Sequence, residues 1–302
     1  MTRREFSICG GAALGALCAH AAGASDEGAT DAGADVLKLR FLGTGAADWN
    51  GRDERGEHRR FTSILVEGRT LIDFTPRCRD MIPEGCRPET VFYTHSHGDH
   101  YSPKAAVALG VKRAYVHESW VKEAEKEFRA AAEKANAAAP EVLPLTVGTA
   151  VEVDGVRFTP LPANHATGRF AEQTIMYLVE KGPVRLLYAT DTGGIPARAA
   201  QIAGIDMHIR NGRPITALIM EATMGLGYED DFRIYTHSSV GTVAQIVRVL
   251  EKTHRYLPAP GQPVWLTHMA RTLHGTQAEL DANLPKPLRA AYDGLEIELR
   301  AK

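Results

Sequence analysis

The stretch Thr94-His95-Ser96-His97-Gly98-Asp99-His100 carries three imidazoles and a carboxylate directly behind the apolar run Val91-Phe92-Tyr93. A β-branched and aromatic run of this kind reads as a buried strand, which puts the polar cluster on the loop where the strand ends. Any fold that accepts this stretch has to bury the strand and open its C-terminal end onto a site. Neutral imidazole nitrogens and carboxylate oxygens are the donors that zinc and similar borderline divalent ions take, at roughly 2.0–2.2 Å. No Cys lies within the cluster, so the thiolates typical of closed structural zinc sites are missing. Gly98 offers the backbone freedom for a loop that curls all these side chains inward. A His-rich surface loop is the bland alternative, and Asp99 beside His100 at the mouth of a strand argues against it.

The pattern His-x-His-x-Asp-His resembles the signature of the metallo-β-lactamase fold superfamily. That resemblance implies four stations downstream, and each has a counterpart in the expected order. They are His165 after Leu161-Pro162-Ala163-Asn164, Asp191 after the run Val184–Thr190, His237 in Thr236-His237-Ser238, and His268 after Val264-Trp265-Leu266-Thr267. Within the superfamily the chain is most similar to the phosphodiesterase-like branch, which includes ribonuclease Z and the phosphodiesterase accompanying carbon–phosphorus lyase. The matching pieces are Phe41-Leu42-Gly43-Thr44-Gly45-Ala46-Ala47, Leu71-Ile72-Asp73-Phe74, Tyr188–Gly193, Leu218–Thr223 and Ala291–Ile297. Two departures stand out. No Gly/Pro-flanked insert corresponds to the transfer-RNA-gripping arm of ribonuclease Z, and Ala46–Arg60 lacks the Cys residues of an extra structural zinc site. Cys78 and Cys86 fall at no ligand station, which sets aside the β-lactamases with a Cys ligand.

The resemblance implies an α/β fold, a four-layer αββα sandwich, spanning residues 36–302. It assigns His95, His97 and His165 to one divalent ion and Asp99, His100 and His268 to a second, with Asp191 bridging both. Zinc is the first choice and manganese or iron the alternatives, because nitrogen and oxygen donors discriminate weakly. Such a pair leaves room for a bridging water, whose pKa one zinc ion can lower from ~15.7 to ~7. Catalytic roles fall to His237, Asp99 and Glu221. His237 would donate a proton to the leaving oxygen, and Glu221 would orient an imidazole. Asp73 ends its strand in a similar way, and its plain reading is a turn acid. Arg60 and His274 are the candidates for contact with substrate. His58, His117, His208 and His254 belong to no constellation.

The reading is a metal-dependent hydrolase of small phosphodiesters. The ligands alone serve equally for an acyl substrate such as a lactone, thioester or β-lactam, or for a metal-binding module without catalysis. Charge narrows the partners. The front of the chain has Arg3-Arg4 before Phe6, a mild apolar stretch from Ile8 to Ala19, and small-residue sites at Ala19-His20-Ala21 and Ala22-Gly23-Ala24. This is a signal peptide by composition, and its paired arginines resemble the twin-arginine export signal, so residues 1–24 are expected to engage that machinery and the product to be periplasmic or exported. Losing Arg3, Arg4 and Glu5 leaves 33 basic and 36 acidic residues, a mature charge of about −3. A long nucleic acid would need a basic face, so a small anionic substrate is the better fit.

Residues 25–35 read as a Gly/Ala/Asp tether, and no later apolar run reaches the 18 residues of a membrane span. Cys78 and Cys86 are open to two readings, a disulfide across Arg79–Gly85 or two thiols around a short helical turn. Oligomeric state is not legible. The remaining periodicity gives strands interleaved with helices. The helix candidates are Pro103–Leu109, Glu118–Ala139, Pro196–Ala203, Ser239–Thr253 and Thr276–Asn283, with Ser238-Ser239 offering hydroxyl caps that would place His237 at a helix N-terminus.

Overall fold

The computed structural model describes residues 36–169 and 171–302, so the signal and tether readings lie outside the described residues. The chain begins with β1 (Val36–Gly43), β2 (Ser63–Val66), β3 (Thr70–Ile72) and β4 (Thr90–Phe92). Next come α1 (Pro103–Leu109), β5 (Arg113–His117), α2 (Val121–Ala135) and β6 (Glu141–Leu145). The second half runs β7 (Val151–Val153), β8 (Val156–Pro162), β9 (Ile175–Lys181), β10 (Val184–Ala189), α3 (Ala197–Ile202), β11 (Ala217–Glu221) and α4 (Val240–Lys252). It closes with β12 (Val264–Thr267), α5 (Gln277–Asn283), β13 (Leu288–Ala290) and β14 (Glu296–Arg300).

Two seven-stranded sheets result, in the orders β14-β1-β2-β3-β4-β5-β6 and β13-β12-β11-β10-β9-β8-β7. Each pairs its strands parallel from β3 to β6 or from β10 to β13, and antiparallel elsewhere. The inner faces share one apolar layer, in which Phe92, Tyr115, Phe158, Tyr177 and Tyr188 meet. Helices α1 and α2 cover the outer face of the first sheet through Ala105, Val107, Ala124 and Phe128. Helices α3 and α4 cover the second through Ala199, Val240, Val243, Val247 and Leu250. The four layers are therefore αββα, as expected.

The strand that carries the His cluster is tied across the sandwich. Phe92 stacks on Tyr115 of its own sheet and on Phe158 of the other, with centroids 4.4 and 4.3 Å away. Each such pair contributes about 0.5–1.5 kcal/mol beyond buried area. Just above, Tyr177 Oη donates to Tyr93 O at 2.6 Å and Ile175 N to Thr94 O at 3.0 Å. The first turn of the cluster is thus anchored to both sheets.

Several boundaries differ from the sequence reading. The helix expected over Glu118–Ala139 opens as a 3-10 turn at Glu118–Trp120 and stops at Ala135, where Asn136 takes the left-handed conformation at φ 48°. Strand β6 contains Pro144, which hid it in the sequence; as the edge of its sheet it needs no donor on its open side. Strand β13 runs Leu288–Ala290, two residues before the strand Ala290–Tyr292 that the sequence pattern suggests. Cys78 and Cys86 are free thiols, Cys78 within a 3-10 turn at Pro76–Met81 and Cys86 beyond it, and Cys78 Sγ donates to Phe61 O. Among the described residues no helix is long and apolar enough to cross a membrane.

Candidate metal centre

All seven candidate ligands gather at the C-terminal ends of strands from both sheets. His95, His97, His165 and Asp191 bring one donor atom each to a first group, and Asp99, His100 and His268 to a second, with the atoms of each group within 4.8 Å of one another. Asp191 faces both. Its Oδ2 lies 3.6 Å from His95 Nε2 and 3.7 Å from His165 Nε2, while its Oδ1 lies 3.3 Å from His100 Nε2 and 3.1 Å from His268 Nε2.

The other edges are similar. His97 Nδ1 is 3.0 Å from His95 Nε2 and 3.2 Å from His165 Nε2. Asp99 Oδ2 is 3.3 Å from both His100 Nε2 and His268 Nε2. A tetrahedron with metal–ligand bonds of roughly 2.0–2.1 Å has edges of about 3.3 Å, so both groups have the dimensions of a zinc-type site. The buried His100 Nε2 has no hydrogen-bond partner, which a cation would supply. On donor chemistry and dimensions, both groups fit a divalent ion.

The curl of the cluster has a different cause from the one its glycine suggested. Gly98 is not in the left-handed region, and a Cβ there would meet nothing within 4 Å. The loop closes instead through His97 O, which accepts from His100 N at 3.0 Å and Tyr101 N at 2.8 Å. Strained backbone appears where strands end: Asp73, Asp191 and His268 take φ of 56°, 48° and 52°. Each conformation of this kind costs on the order of 1–3 kcal/mol and persists only where the surroundings impose it.

Two buried carboxylates orient the imidazoles from behind. Asp73 accepts from Thr94 N at 2.8 Å, from Thr94 Oγ1 at 2.8 Å and from His100 Nδ1 at 2.7 Å. Because Thr94 Oγ1 spends its proton on Asp73, it accepts from His95 Nδ1 at 3.0 Å. In the second sheet Glu221 accepts from Thr192 N at 2.6 Å, from Thr223 Oγ1 and from His237 Nδ1 at 3.0 Å. Thr223 Oγ1 in turn accepts from His268 Nδ1 at 2.9 Å. His165 Nδ1 donates to Thr236 O at 3.1 Å. These bonds leave the opposite nitrogen of each ring, Nε2, for the centre.

The electrostatics follow. Burial opposes charge on His100, but Asp191, Asp99 and Asp73 outweigh it and hold its pKa well above the usual imidazole value. Burial would raise Asp191 and Asp99, and the neighbouring imidazoles overcome it, keeping both carboxylates ionised far below their ordinary range. Burial lowers His95 and His165, the neutral form a ligand needs. Burial also works against charge on His237, yet Glu221 prevails and pushes its pKa up to about 9.

His237 stands beside the ligands, stacked on His268 at 5.7 Å and edge-on to His165 at 4.8 Å. It precedes α4, whose N-cap Ser239 accepts from Thr242 N. The 3-10 turn Phe232–Tyr235 before it leans on Gly193, where a Cβ would fall 2.6 Å from Ile234 O. Arg60 does not join the group, because Asp80 and Asp293 take its guanidinium. His274 donates from Nε2 to Ala222 O at 2.7 Å and borders a cavity of about 380 Å³ with Leu226, Leu273, Leu280 and Leu284. Burial pushes its pKa down to about 4.

Sequence reading missed Thr94, Thr223 and Glu172; it likened Asp73 to Glu221 with a turn acid as the plain alternative, and Asp73 does bond to an imidazole as Glu221 does. The one available signal was position: Thr94 precedes His95, and Thr223 lies two residues after Glu221.

The sequence profile of a beta-lactamase superfamily domain matches residues 71–269. No curated protein sequence matches the chain. Solved structures do. A diphosphatase from the PhnP family superposes with a TM-score of 0.62 at 21% identity, covering 88% of this chain and 98% of its own. The metallo-beta-lactamase fold protein YhfI from Bacillus subtilis gives 0.61 at 13% identity, covering 87% and 100%. The short form of human tRNase Z gives 0.58 at 15% identity, covering 86% and 98%. At these identities the likeness establishes the fold.

Proposed function

Because the chain belongs to the beta-lactamase superfamily, we propose that it is a hydrolase of small phosphodiesters working with two divalent ions, zinc first. The observation that carries this reading is an imidazole at the edge of the two ligand groups: it lies outside both, although a nitrogen of it comes within 4.8 Å of donor atoms of Asp191 and His268. His237 has its Nδ1 held by Glu221 Oε1 at 3.0 Å, so its Nε2 remains for a substrate oxygen. When bound, the ions would supply Lewis acidity and a water acidic enough to attack at neutral pH.

The chain's own residues do the rest. Asp73 and Glu221 keep the ligand imidazoles aimed inward, directly or through Thr94 and Thr223. Glu221 also stabilises the protonated form of His237, which hands its proton to the departing alkoxide. Cations at the adjoining groups would bring the His237 pKa down from about 9 toward neutrality, where proton transfer is most efficient. A thioester, whose thiolate departs without a proton, has less need of such a donor. A diphosphatase and a tRNase among the similar folds agree with phosphate chemistry.

Purified, zinc-loaded protein should hydrolyse bis(p-nitrophenyl) phosphate faster than a lactone, a thioester or a cephalosporin. Faster turnover of any acyl substrate would overturn the phosphate reading. Inertness on all four with two ions bound would favour a non-catalytic module. We propose further that residues 1–24 direct twin-arginine export, which fractionation of cells expressing an Arg3→Lys, Arg4→Lys variant tests. Equal periplasmic yield from variant and wild type would refute it.

A further inference from the structure

We propose that Glu172 is a positioning residue that clamps together the two loops supplying the first ligand group, and so selects the affinity of that group alone. This rests on the reading of the His/Asp groups as cation sites. His95 and His97 come from the loop after β4, whereas His165 comes from the loop between β8 and β9. The two loops are some 70 residues apart in sequence, and Glu172 joins them. Its Oε1 accepts from Ser96 N at 2.7 Å, and its Oε2 accepts from Ser96 Oγ and from Thr167 Oγ1, the last at 3.0 Å. Ser96 sits between the two ligands of the first loop, and Thr167 lies two residues past the ligand of the second.

The carboxylate is fully buried, and its nearest cationic partner, Arg169 Nε, is 4.0 Å away. A buried carboxylate is costly unless hydrogen-bonded, so these three donors must stay in place for it to remain there. The segment is held at two further points: Arg169 Nη2 donates to Glu127 of α2, and Gln173 N donates to Ser119 Oγ. With the clamp closed, His97 Nδ1 and His165 Nε2 stand 3.2 Å apart before any ion arrives. The entropy of ordering two loops is then spent in folding rather than in binding. No ligand of the second group bonds to Glu172: His100 is held by His97 O and Asp73, and His268 by Thr223.

The test is zinc titration by calorimetry on the full chain. In a His268→Ala background, which keeps only the first group, Glu172→Ala should weaken zinc binding about 10–100-fold, the range for loss of an orienting partner. In a His165→Ala background, which spares the second group, it should change affinity less than about twofold. Glu172→Gln, which keeps length and one acceptor, should recover most of the loss. If Glu172→Ala does not fold, Thr167→Val severs only the second loop and should weaken the first group by about 3–10-fold. Equal weakening in both backgrounds, or none in either with the zinc-free unfolding midpoint preserved, overturns the clamp. Wild-type protein that takes up no zinc overturns the cation reading along with it.

Discussion

Asp73 in the first sheet and Glu221 in the second sit on the same device. Each is a fully buried carboxylate close to the end of a parallel strand, bonded directly to one imidazole and through a threonine to another. What they hold differs. Asp73 serves two ligands, His95 and His100, one from each group. Glu221 serves one ligand, His268, and one imidazole that belongs to neither full set, His237. The first half of the molecule thus spends its device entirely on the candidate metal centre. The second half divides its own between that centre and His237, the proposed proton donor.

The largest effect should come from the one residue that both halves depend on. Asp191→Ala should bring zinc content well below two ions per chain and lower turnover by more than the roughly 100-fold typical of an outer partner. Full metal content by mass spectrometry of the native protein would remove Asp191 from its bridging place. His237→Ala should follow, slowing a substrate with a poor alkoxide leaving group by about 10²–10⁴-fold and a p-nitrophenyl ester far less, with metal content unchanged. Equal losses on both substrates would return His237 to a packing or capping role.

The comparison itself is tested by the two carboxylates. Asp73→Ala should weaken both ions by about 10–100-fold, while Glu221→Ala should weaken chiefly the second ion and add the leaving-group dependence of His237→Ala. Identical fingerprints in metal affinity and in kinetics would mean that the two halves do not differ as described. Smaller by design, Thr94→Val and Thr223→Val each remove one relay and should cost about 2–10-fold in affinity, at His95 and His268 respectively.

The smallest effect concerns stability without metal. The His237 pKa lies above its unfolded value, so its pairing with Glu221 stabilises the fold fully below about pH 6.5, and the gain fades as pH rises through about 9. The stability gap between wild type and His237→Asn, from urea unfolding of zinc-free protein, should be on the order of 1 kcal/mol at pH 6 and close by pH 10. A gap that widens with pH would show that Glu221 does not keep His237 charged.

Much of the centre was legible because each ligand ends or closely follows an apolar run, and such runs announce themselves locally. The run Val91-Phe92-Tyr93 pointed to His95, Val184–Ala189 to Asp191, and Val264–Thr267 to His268. The family resemblance then implied which ligands belong together, and amphipathic spacing located α2 and α4 to within a few residues. The partners of side chains were a different matter. Asp73 stayed open between an orienting carboxylate and a turn acid because its three donors sit 21 to 27 residues away, across a parallel strand pair whose register only folding sets. Arg60 looked free for phosphate until Asp293, more than 200 residues on, arrived beside it. Glu172 carried no signal at all, since nothing local distinguishes a loop glutamate that bridges two loops from one in water. Hydrophobic periodicity is a property of neighbours in sequence, so the chain alone marked most of the strands and the candidate ligands that follow them. Hydrogen-bond partnership is a property of neighbours in space, and the tertiary structure alone decided which carboxylate stands behind which imidazole.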